Sequence, residues 1–338
     1  MTHPRRVDTF SGTTHLGELM PEMTREQWLE ERTKGLGATD CANIIVNSAE
    51  PHDRVGCWKG SLFSMWSTKM KLSPPGGTGS SAATRGQIME EYVCKMYAEH
   101  LGGNVPMVEH GLTWHPERKH IFGTPDRLVE MDGVRFGMDA KTRRSSKGWG
   151  EDGTDKVPLD TEIQCRIYMD IFKTPYWDVA TLFNIDDFRV YRLHNDQELI
   201  NSILDVCEDW YKDHVTGEMP PVMDGTARAK EVISHMHPRV TSEALRSATA
   251  DEMDLYEALV KIKTKHKALS SQKNELENKL RQAIGDDVGI EGVATWKGSK
   301  DRENFDKKAF REAEPDLYKK YITTSTGPRT LRIIGEKK

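Results

Sequence analysis

The sequence lacks the features that would place it in several common protein classes. Its five cysteines show no CxxC spacing, so we predict reduced intracellular thiols without a disulfide framework or a zinc site. No apolar run approaches the roughly 20 residues of a membrane span. No apolar segment follows the basic residues near the N-terminus, so we expect no secretory signal and a cytoplasmic location. A P-loop, a Ser–His–Asp or Cys–His arrangement and internal repeats are also missing.

What the sequence does contain is an unusual hairpin at residues 123–141, GTPDRLVEMDGVRFGMDAK. Asp132 and Gly133 form the preferred dipeptide of a two-residue type I′ turn, and the segment after it alternates between apolar and polar residues. Counting outward from that turn places Asp126 directly opposite Asp139. Directly opposed residues share one face, with Cβ atoms roughly 5 Å apart.

Two carboxylates in that position should repel each other, and Lys141 shares their face. Either the pair lies at a solvated edge, or the hairpin slips by one residue, or Lys141 neutralises one acid. The functional alternative is that Asp126 and Asp139 hold a divalent cation, because hard cations such as Mg²⁺ prefer carboxylate oxygens. The hairpin alone does not decide between these interpretations.

The net charge of −5 argues against a protein that coats nucleic acid, but it allows an enzyme that binds DNA in one groove. Positive charge is clustered directly after Lys141, at Arg143, Arg144 and Lys147. Such a run is usually a solvated loop. Because this one begins at the suspected site, it is a candidate phosphate-binding edge.

The pattern of periodic segments predicts an α/β fold with a mixed central β-sheet flanked by helices, followed by a mainly helical C-terminal extension. We expect a flexible N-terminus at 1–22, a first domain at 23–221, a linker at 222–250 and a C-terminal region at 251–338.

The C-terminal region should contain one long helix with leucine or isoleucine every seven residues. Pairing with residues 306–322 as a helical hairpin is favoured over an intermolecular coiled coil. The segments 292–298 and 329–334 could form a small β pair.

Further candidate residues are ordinary when taken singly. Glu90 lies on a helix before the sheet, where an exposed glutamate is common. Gln164 and Tyr168 are four residues apart and share one helix face, which is commonly a solvated edge. Arg32, Thr39 and Thr124 could bind phosphate, although Thr39 at a helix start is more often a simple cap.

The tryptophans are expected in the core. This applies to Trp58, Trp66 and Trp149. If one of the three contacts bases instead, Trp149 is the best candidate, because it ends the basic loop. The spacing of His110, His115 and His120 suits neither a helical nor a strand pair, so we predict no metal site there.

Four motifs in order give the chain a family resemblance over roughly residues 25–215. GTPD followed by MDAK resembles the PD-(D/E)xK nuclease signature, and RGQIMEEY resembles its helix-glutamate motif. QCRIY resembles the QxxxY motif of the RecB-like branch. ERTKGLGATD resembles the opening motif of the YqaJ and lambda-exonuclease group of phage recombinases.

The resemblance implies a restriction-endonuclease-like core and a role for each residue above. Asp126 and Asp139 would bind Mg²⁺ or Mn²⁺ with Glu90, Lys141 would orient the attacking water, and Gln164 would position the lysine or the water. Tyr168 would pack or contact the DNA backbone. The implied pocket for a 5′-phosphate consists of Arg32, Thr39 and Thr124, with threonine at two positions where serine is expected.

The implied activity is 5′→3′ exonuclease action on linear double-stranded DNA, leaving 3′ single-stranded tails for phage recombination in the cytoplasm of the host cell. The resemblance further implies a homo-trimer and a single-strand annealing protein as partner. An endonuclease of the same fold and a catalytically inactive DNA-binding or assembly module are the alternatives. Iron–sulfur nucleases with these motifs need four cluster cysteines, which the spacing here does not offer.

Overall fold

We describe the protein from a computed structural model, in which residues 18–21, 23–74, 81–103, 105–241, 244–299, 304–323 and 331 are described. The chain divides into two units, Met1–Pro238 and Arg239–Lys338, and the division falls inside the predicted linker. Of the N-terminal segment expected to be flexible, only 18–21 lie among the described residues. No helix in the described part of the chain is long and apolar enough to cross a membrane.

The described part of the chain contains both strands and helices, and five strands follow one another between α4 and α5. The strands are β1 (Glu18–Leu19), β2 (Leu36–Gly37), β3 (Met107–Val108), β4 (Thr113–Trp114), β5 (Ile121–Gly123), β6 (Arg127–Met131), β7 (Val134–Arg143), β8 (Tyr176–Phe183), β9 (Asp187–His194), β10 (Gly289–Ile290) and β11 (Ala294–Thr295). The helices are α1 (Arg25–Glu31), α2 (Ala38–Ser48), α3 (Leu62–Lys69), α4 (Ser81–His100), α5 (Leu159–Phe172), α6 (Gln197–Trp210), α7 (Ala227–Met236), α8 (Ala250–Ile284), α9 (Lys307–Ala313) and α10 (Pro315–Tyr321).

The main sheet has the order β3-β6-β7-β8-β9. β7 and β8 run parallel, and the other neighbours run antiparallel. A smaller sheet has the order β1-β4-β5-β2, with β2 and β5 parallel. The predicted mixed sheet flanked by helices is therefore confirmed.

The hairpin of β6 and β7 has the predicted register. Met131 pairs with Val134, and both turn residues have positive φ, 52° at Asp132 and 76° at Gly133. The ladder ends at the pair Arg127–Met138, one step before Asp126. The register is not slipped, so that explanation for the opposed acids is wrong.

The two faces of the main sheet pack against different helices. One face buries Phe136 and Met138 against Val93 and Tyr97 of α4. The other face buries Trp177, Val179 and Tyr191 of the sheet against α5 and α6. The helices contribute Ile163, Ile167 and Leu204 to this core. Because strand side chains alternate, β7 serves the α4 core with one set and presents the other set toward α5.

A buried hydrogen bond between His115, which follows β4, and Asp170 also holds α5 in place. Nδ1 of His115 accepts hydrogen bonds from the backbone amides of Glu117 and Arg118 at 3.1 and 2.9 Å. Its Nε2 therefore carries the proton and donates to Asp170 Oδ2 at 2.7 Å. Burial raises the pKa of Asp170, but hydrogen bonds led by the one from His115 outweigh it and hold that pKa well below its usual range.

The C-terminal unit differs from the prediction. Leu255, Ile262, Leu269 and Leu276 of α8 are 61–71% exposed, and α9 packs on α10. The predicted helical hairpin is therefore wrong in the described residues. The small β pair joins β10 to β11, so 294–295 pair with 289–290. Of the predicted partner segment 329–334, only Leu331 is described.

Gly137 of β7 yields the first testable prediction. A Cβ at this position would lie 2.1 Å from the indole of Trp177, which covers the glycine across the β7–β8 pair. We expect Gly137→Ala to lower the free energy of unfolding by about 1–3 kcal/mol, because a methyl group cannot fit without shifting buried strands. Urea unfolding measures the change.

Gly86 provides the matched control, because it lies within α4 and an added Cβ there would meet nothing within 4 Å. Gly86→Ala should raise the free energy of unfolding by about 0.5–1 kcal/mol through helix propensity. Equal unfolding midpoints for the two variants would contradict the close Gly137–Trp177 packing.

Candidate active site

The site forms where β7 leaves the hairpin and continues beside β8. Asp139 is buried and Lys141 is largely buried, on the face that looks toward α5. Asp126 lies just before β6, and its Oδ2 accepts a hydrogen bond from the backbone amide of Ala140 at 2.8 Å. The two aspartates are thus brought together as predicted, with the amide of β7 holding Asp126 in place.

Lys141 is held by a residue of its own strand and by a residue of α5. Its ammonium forms an ion pair with Asp139 and donates a hydrogen bond to Gln164 Oε1 at 3.0 Å. Gln164 Nε2 donates to the Tyr168 hydroxyl at 2.9 Å, and that hydroxyl donates to the carbonyl of Thr124 at 3.0 Å. The QCRIY motif therefore connects the lysine to the loop that carries Asp126.

A close backbone approach fixes this chain of hydrogen bonds. A Cβ at Gly123 would lie 2.8 Å from the Tyr168 ring and 3.0 Å from Ile171. The absence of a side chain at 123 lets the tyrosine reach over β5 to the carbonyl of Thr124. Tyr168 thus packs inside the protein, which is one of its two implied roles.

Glu90 approaches the site from α4, but it faces an arginine. Its Oε1 lies 3.4 Å from Arg127 Nη1, and Arg127 also forms ion pairs with Glu91 at 2.8 Å and Glu109 at 3.2 Å. No role was predicted for Arg127 from the sequence. The pattern that could have indicated one is a charged residue directly after Asp126 that pairs with the core residue Met138 in the ladder.

Electrostatics at the site follow from burial and like charge. Burial, then the charges of Asp139 and Glu90, raise the pKa of Asp126 well above its usual value. Burial lowers the pKa of Lys141, but Asp139 and Asp126 outweigh that effect and raise it, so the ammonium stays charged. The negative charges of Asp139 and Glu90 therefore still act against ionisation of Asp126.

The donor set suits a hard cation. Two carboxylates lie together, and Oδ2 of buried Asp139 accepts no hydrogen bond of acceptable geometry from the described residues, its contact being the ion pair with Lys141. As the side chains stand, no group of three or more His, Cys, Asp or Glu residues in the described part is arranged to hold a metal. Glu90, paired with Arg127, is the predicted ligand that is not in place.

The predicted phosphate-binding residues gather at one edge of the smaller sheet. β2 and β5 are parallel, with Gly37 beside Phe122, so Thr39 and Thr124 follow at equivalent positions. Thr39 is exposed in the first turn of α2. The Arg32 guanidinium lies 4.5 Å from the Trp28 ring centroid. Burial raises the pKa of nearby Asp40, but the charges of Lys69 and then Arg32 help to outweigh that effect, so the pKa is lowered.

Lys69 was not predicted for this edge. Its nearly buried ammonium donates to the Arg32 carbonyl and to Asp40 Oδ2, both at 2.7 Å. Asp40 Oδ2 in turn accepts from the Gly37 amide at 2.9 Å. This network joins the start of α2 to the turn that carries Arg32.

The basic loop lies beside the site, but its tryptophan does not face outward. Arg144 and Lys147 are exposed, whereas Trp149 is only 8% exposed and packs against Phe183 and Tyr191. Trp149 therefore lies in the core, the position favoured for it in the sequence, and its ring anchors the loop instead of contacting bases. Trp66 is buried as expected, whereas Trp58, also expected inside, is exposed.

Charge repulsion in the site generates a stability prediction. A carboxyl group whose pKa is raised in the folded state lowers the free energy of unfolding at pH values above its ordinary, unfolded-state pKa, and this loss of stability disappears as the pH falls to that ordinary pKa. Asp126→Asn keeps an acceptor for the Ala140 amide and removes the charge. In metal-free buffer at pH 8 we expect the free energy of unfolding to rise by about 1 kcal/mol or more, since one pKa unit corresponds to about 1.4 kcal/mol.

The same substitution at pH 4, where the carboxyl is already protonated, should change stability far less. Chemical unfolding at the two pH values measures the difference. A destabilised Asp126→Asn at pH 8 would show that the carboxylates do not repel.

Solved structures show distant likenesses over a little more than half of the chain. An alkaline exonuclease from Laribacter hongkongensis has a TM-score of 0.43 at 16% identity, covering 57% of this chain and 93% of that one. A phage related exonuclease from Haemophilus somnus 129PT has a TM-score of 0.38 at 12% identity, covering 55% and 96%.

Sequence comparison extends further along the chain. A relative described as uncharacterized protein YqaJ, from Bacillus subtilis (strain 168), is 26% identical over 304 residues, covering 88% of this chain and 91% of that protein. Residues 27–175 match the model of the YqaJ-like viral recombinase domain. This match spans the opening motif, the helix glutamate, the hairpin and QCRIY, so all four motifs lie within the part of the chain that is similar to this domain.

Proposed function

We propose that the protein is a metal-dependent 5′→3′ exonuclease that degrades one strand of linear double-stranded DNA and leaves 3′ single-stranded tails for recombination. The observation that carries the proposal is the pairing of Asp126 with Asp139 beside a charged Lys141. The YqaJ-like domain and the exonuclease titles of the distant solved structures agree with it.

Mg²⁺, or Mn²⁺ in its place, is the proposed cofactor. Asp126 and Asp139 would hold the ion, and Glu90 would join them after leaving Arg127. Such an ion supplies Lewis-acid polarisation of the phosphate and a nucleophilic water at neutral pH. Its charge would also offset the repulsion that raises the pKa of Asp126.

Lys141 would stabilise negative charge that develops on the phosphate. Its raised pKa keeps it cationic, and its hydrogen bond to Gln164 sets its direction before substrate arrives. Such preorganised donors cost little reorganisation during the reaction. Tyr168 fixes Gln164 and touches no reacting atom, so it is a positioning residue.

The direction of digestion would come from a pocket for the 5′-phosphate. Thr39 and Thr124 stand at equivalent positions past two parallel strands, and Arg32 lies close to the same helix start. Backbone amides at a helix start attract anions. Arg143, Arg144 and Lys147 would contact the DNA backbone next to Lys141. A free 5′ end is a feature that an exonuclease, and not an endonuclease, needs to read.

We further propose a homo-oligomer, a trimer by resemblance, and a single-strand annealing protein as partner. Both would suit an enzyme that stays on one duplex and hands over the strand it exposes. The resemblance is the support for these two points.

Digestion of a linear duplex in Mg²⁺ tests the activity. The 5′-phosphorylated strand should disappear faster than its 5′-hydroxyl counterpart, and closed circular plasmid should survive. Lys141→Ala should reduce the rate by about 10²–10³, the usual cost of removing a preorganised charge stabiliser.

Other results of the digestion assay would favour a different function or contradict the phosphate pocket. Cleavage of the circle would assign endonuclease activity instead. No cleavage in Mg²⁺ or Mn²⁺ would leave a DNA-binding or assembly module. Equal rates for both linear substrates would contradict the role of Arg32, Thr39 and Thr124.

Thermal unfolding tests the cofactor without any DNA. An ion that binds only the folded protein stabilises it by about 2.7 kcal/mol at 100 times its dissociation constant. We expect saturating Mg²⁺ to raise the melting temperature of the wild type by several degrees, and to leave Asp139→Asn unchanged. An equal rise in both proteins would place the ion elsewhere.

A further inference from the structure

Trp58 is exposed where a large aromatic side chain has no evident structural purpose. It is 59% exposed, whereas Trp66, Trp149 and Trp177 are at most 8% exposed. Exposing an indole forgoes the stabilisation that burial of its large apolar surface would give. Single exposed apolar residues are common, so its setting has to show whether this one binds something.

The backbone around Trp58 is held rigidly. The Trp58 amide donates to Asp160 Oδ2 at 3.1 Å. Two residues later, the Gly60 amide donates to Asn43 Oδ1 at 2.7 Å, and the Gly60 carbonyl accepts from Asn47 Nδ2 at 3.2 Å. A Cβ at Gly60 would lie 2.4 Å from the indole, so the ring rests against this glycine. The exposed ring is therefore preorganised.

These anchors place Trp58 next to the proposed active site. Asp160, which holds its amide, is one turn before Gln164 on α5, so the two share a helix face. One helical turn rises about 5.4 Å. Gln164 contacts Lys141 directly. A DNA strand bound at Lys141 would therefore need only one or a few further nucleotides to reach the indole.

The segment before Trp58 packs directly on the basic loop. A Cβ at Gly56 would lie 2.4 Å from the Lys147 carbonyl, and a Cβ at Gly148 would lie 2.3 Å from the Val55 carbonyl. Both glycines have positive φ, 83° and 90°, so the two backbones meet where side chains are excluded. The tryptophan segment and the basic loop thus form one surface.

Cationic residues lie near Trp58 along the chain and on the packed loop. Lys59 adjoins it and Arg54 lies four residues before it, while the packed loop contributes the exposed Arg144 and Lys147. Two acids are also near: Asp53 lies 3.4 Å from His52, and Asp160 is held by the Trp58 amide. Cationic side chains that flank an exposed aromatic ring are the combination by which proteins hold single-stranded nucleic acid: the cations contact phosphates and the ring stacks on a base.

We propose that Trp58 stacks on an unpaired base of the DNA strand next to the active site, with Arg54, Lys59, Arg144 and Lys147 contacting its backbone. The inference rests on the proposed function, because it takes DNA as the substrate. Stacking would hold the strand open beyond the duplex end and would accept every base, since each has a π face.

The test measures binding of a 5′-phosphorylated oligothymidylate to the full chain in the Lys141→Ala background, which prevents digestion. Adding Trp58→Ala should weaken binding by about 5- to 150-fold, the range for losing one base–aromatic stack. Trp58→Phe, which keeps a ring, should recover most of this loss. Trp296→Ala is the matched control, because Trp296 is 52% exposed in the C-terminal unit, and it should bind normally.

An abasic scan separates stacking from other contacts. One abasic nucleotide, moved along the oligonucleotide, should weaken binding at one position when Trp58 is present and have no further effect at that position in Trp58→Ala. Equal binding by the Trp58→Ala and Trp296→Ala proteins would overturn the proposal. So would an abasic effect of equal size with and without the indole. If Lys141-intact enzyme digests DNA while either result is obtained, only the stacking role fails; if it digests no DNA, the proposed function fails.

Discussion

The alternation of side chains along β7 is the constraint on which the rest of the first unit depends. Every second residue, including Phe136 and Met138, fills the core beneath α4. The residues between them must then face α5, and two of these are Asp139 and Lys141. The strand pairs with β6 through its first half and with β8 through its second. Core and candidate active site therefore share one backbone, and neither can slip without the other.

That sharing explains how the chain tolerates two acids that repel. Burying the charge of Asp126 destabilises the folded state, and apolar burial on both faces of the same sheet offsets this cost. The ammonium of Lys141 reduces the cost further, because it attracts the carboxylate. A site strained in this way favours a cation that relieves the repulsion. Natural proteins commonly give up stability at functional positions. Here the loss is confined to one end of the hairpin, where the ladder already stops at Arg127 and Met138.

The features that the sequence predicts well are those determined by near neighbours along the chain. Asp132-Gly133 sets the turn, the turn sets the register, and the register brings Asp126 to Asp139. Features that depend on distant contacts are harder to predict. Trp58 was expected inside but is exposed, where Asp160 and Asn43 hold the backbone of its segment, whereas Trp149 is buried as expected, against Phe183 and Tyr191. The ion pairs of Arg127 could not be predicted for the same reason, because its partners Glu91 and Glu109 lie far from it in the sequence. The seven-residue repeat of α8 predicts an apolar stripe along the helix, but it does not specify which segment packs against that stripe.

The hydrogen bonds around Lys141 close on themselves. From Lys141 they run through Gln164 and Tyr168 to the carbonyl of Thr124, two peptide bonds lead on to Asp126, and its carboxylate returns to the amide of Ala140, which is bonded to Lys141. In a closed circuit no member can turn without stretching the next. If the proposed pocket for a 5′-phosphate includes Thr124, a phosphate that displaced this residue would also disturb the hydrogen bonds of Lys141, and occupancy of the pocket would be coupled to alignment of the lysine.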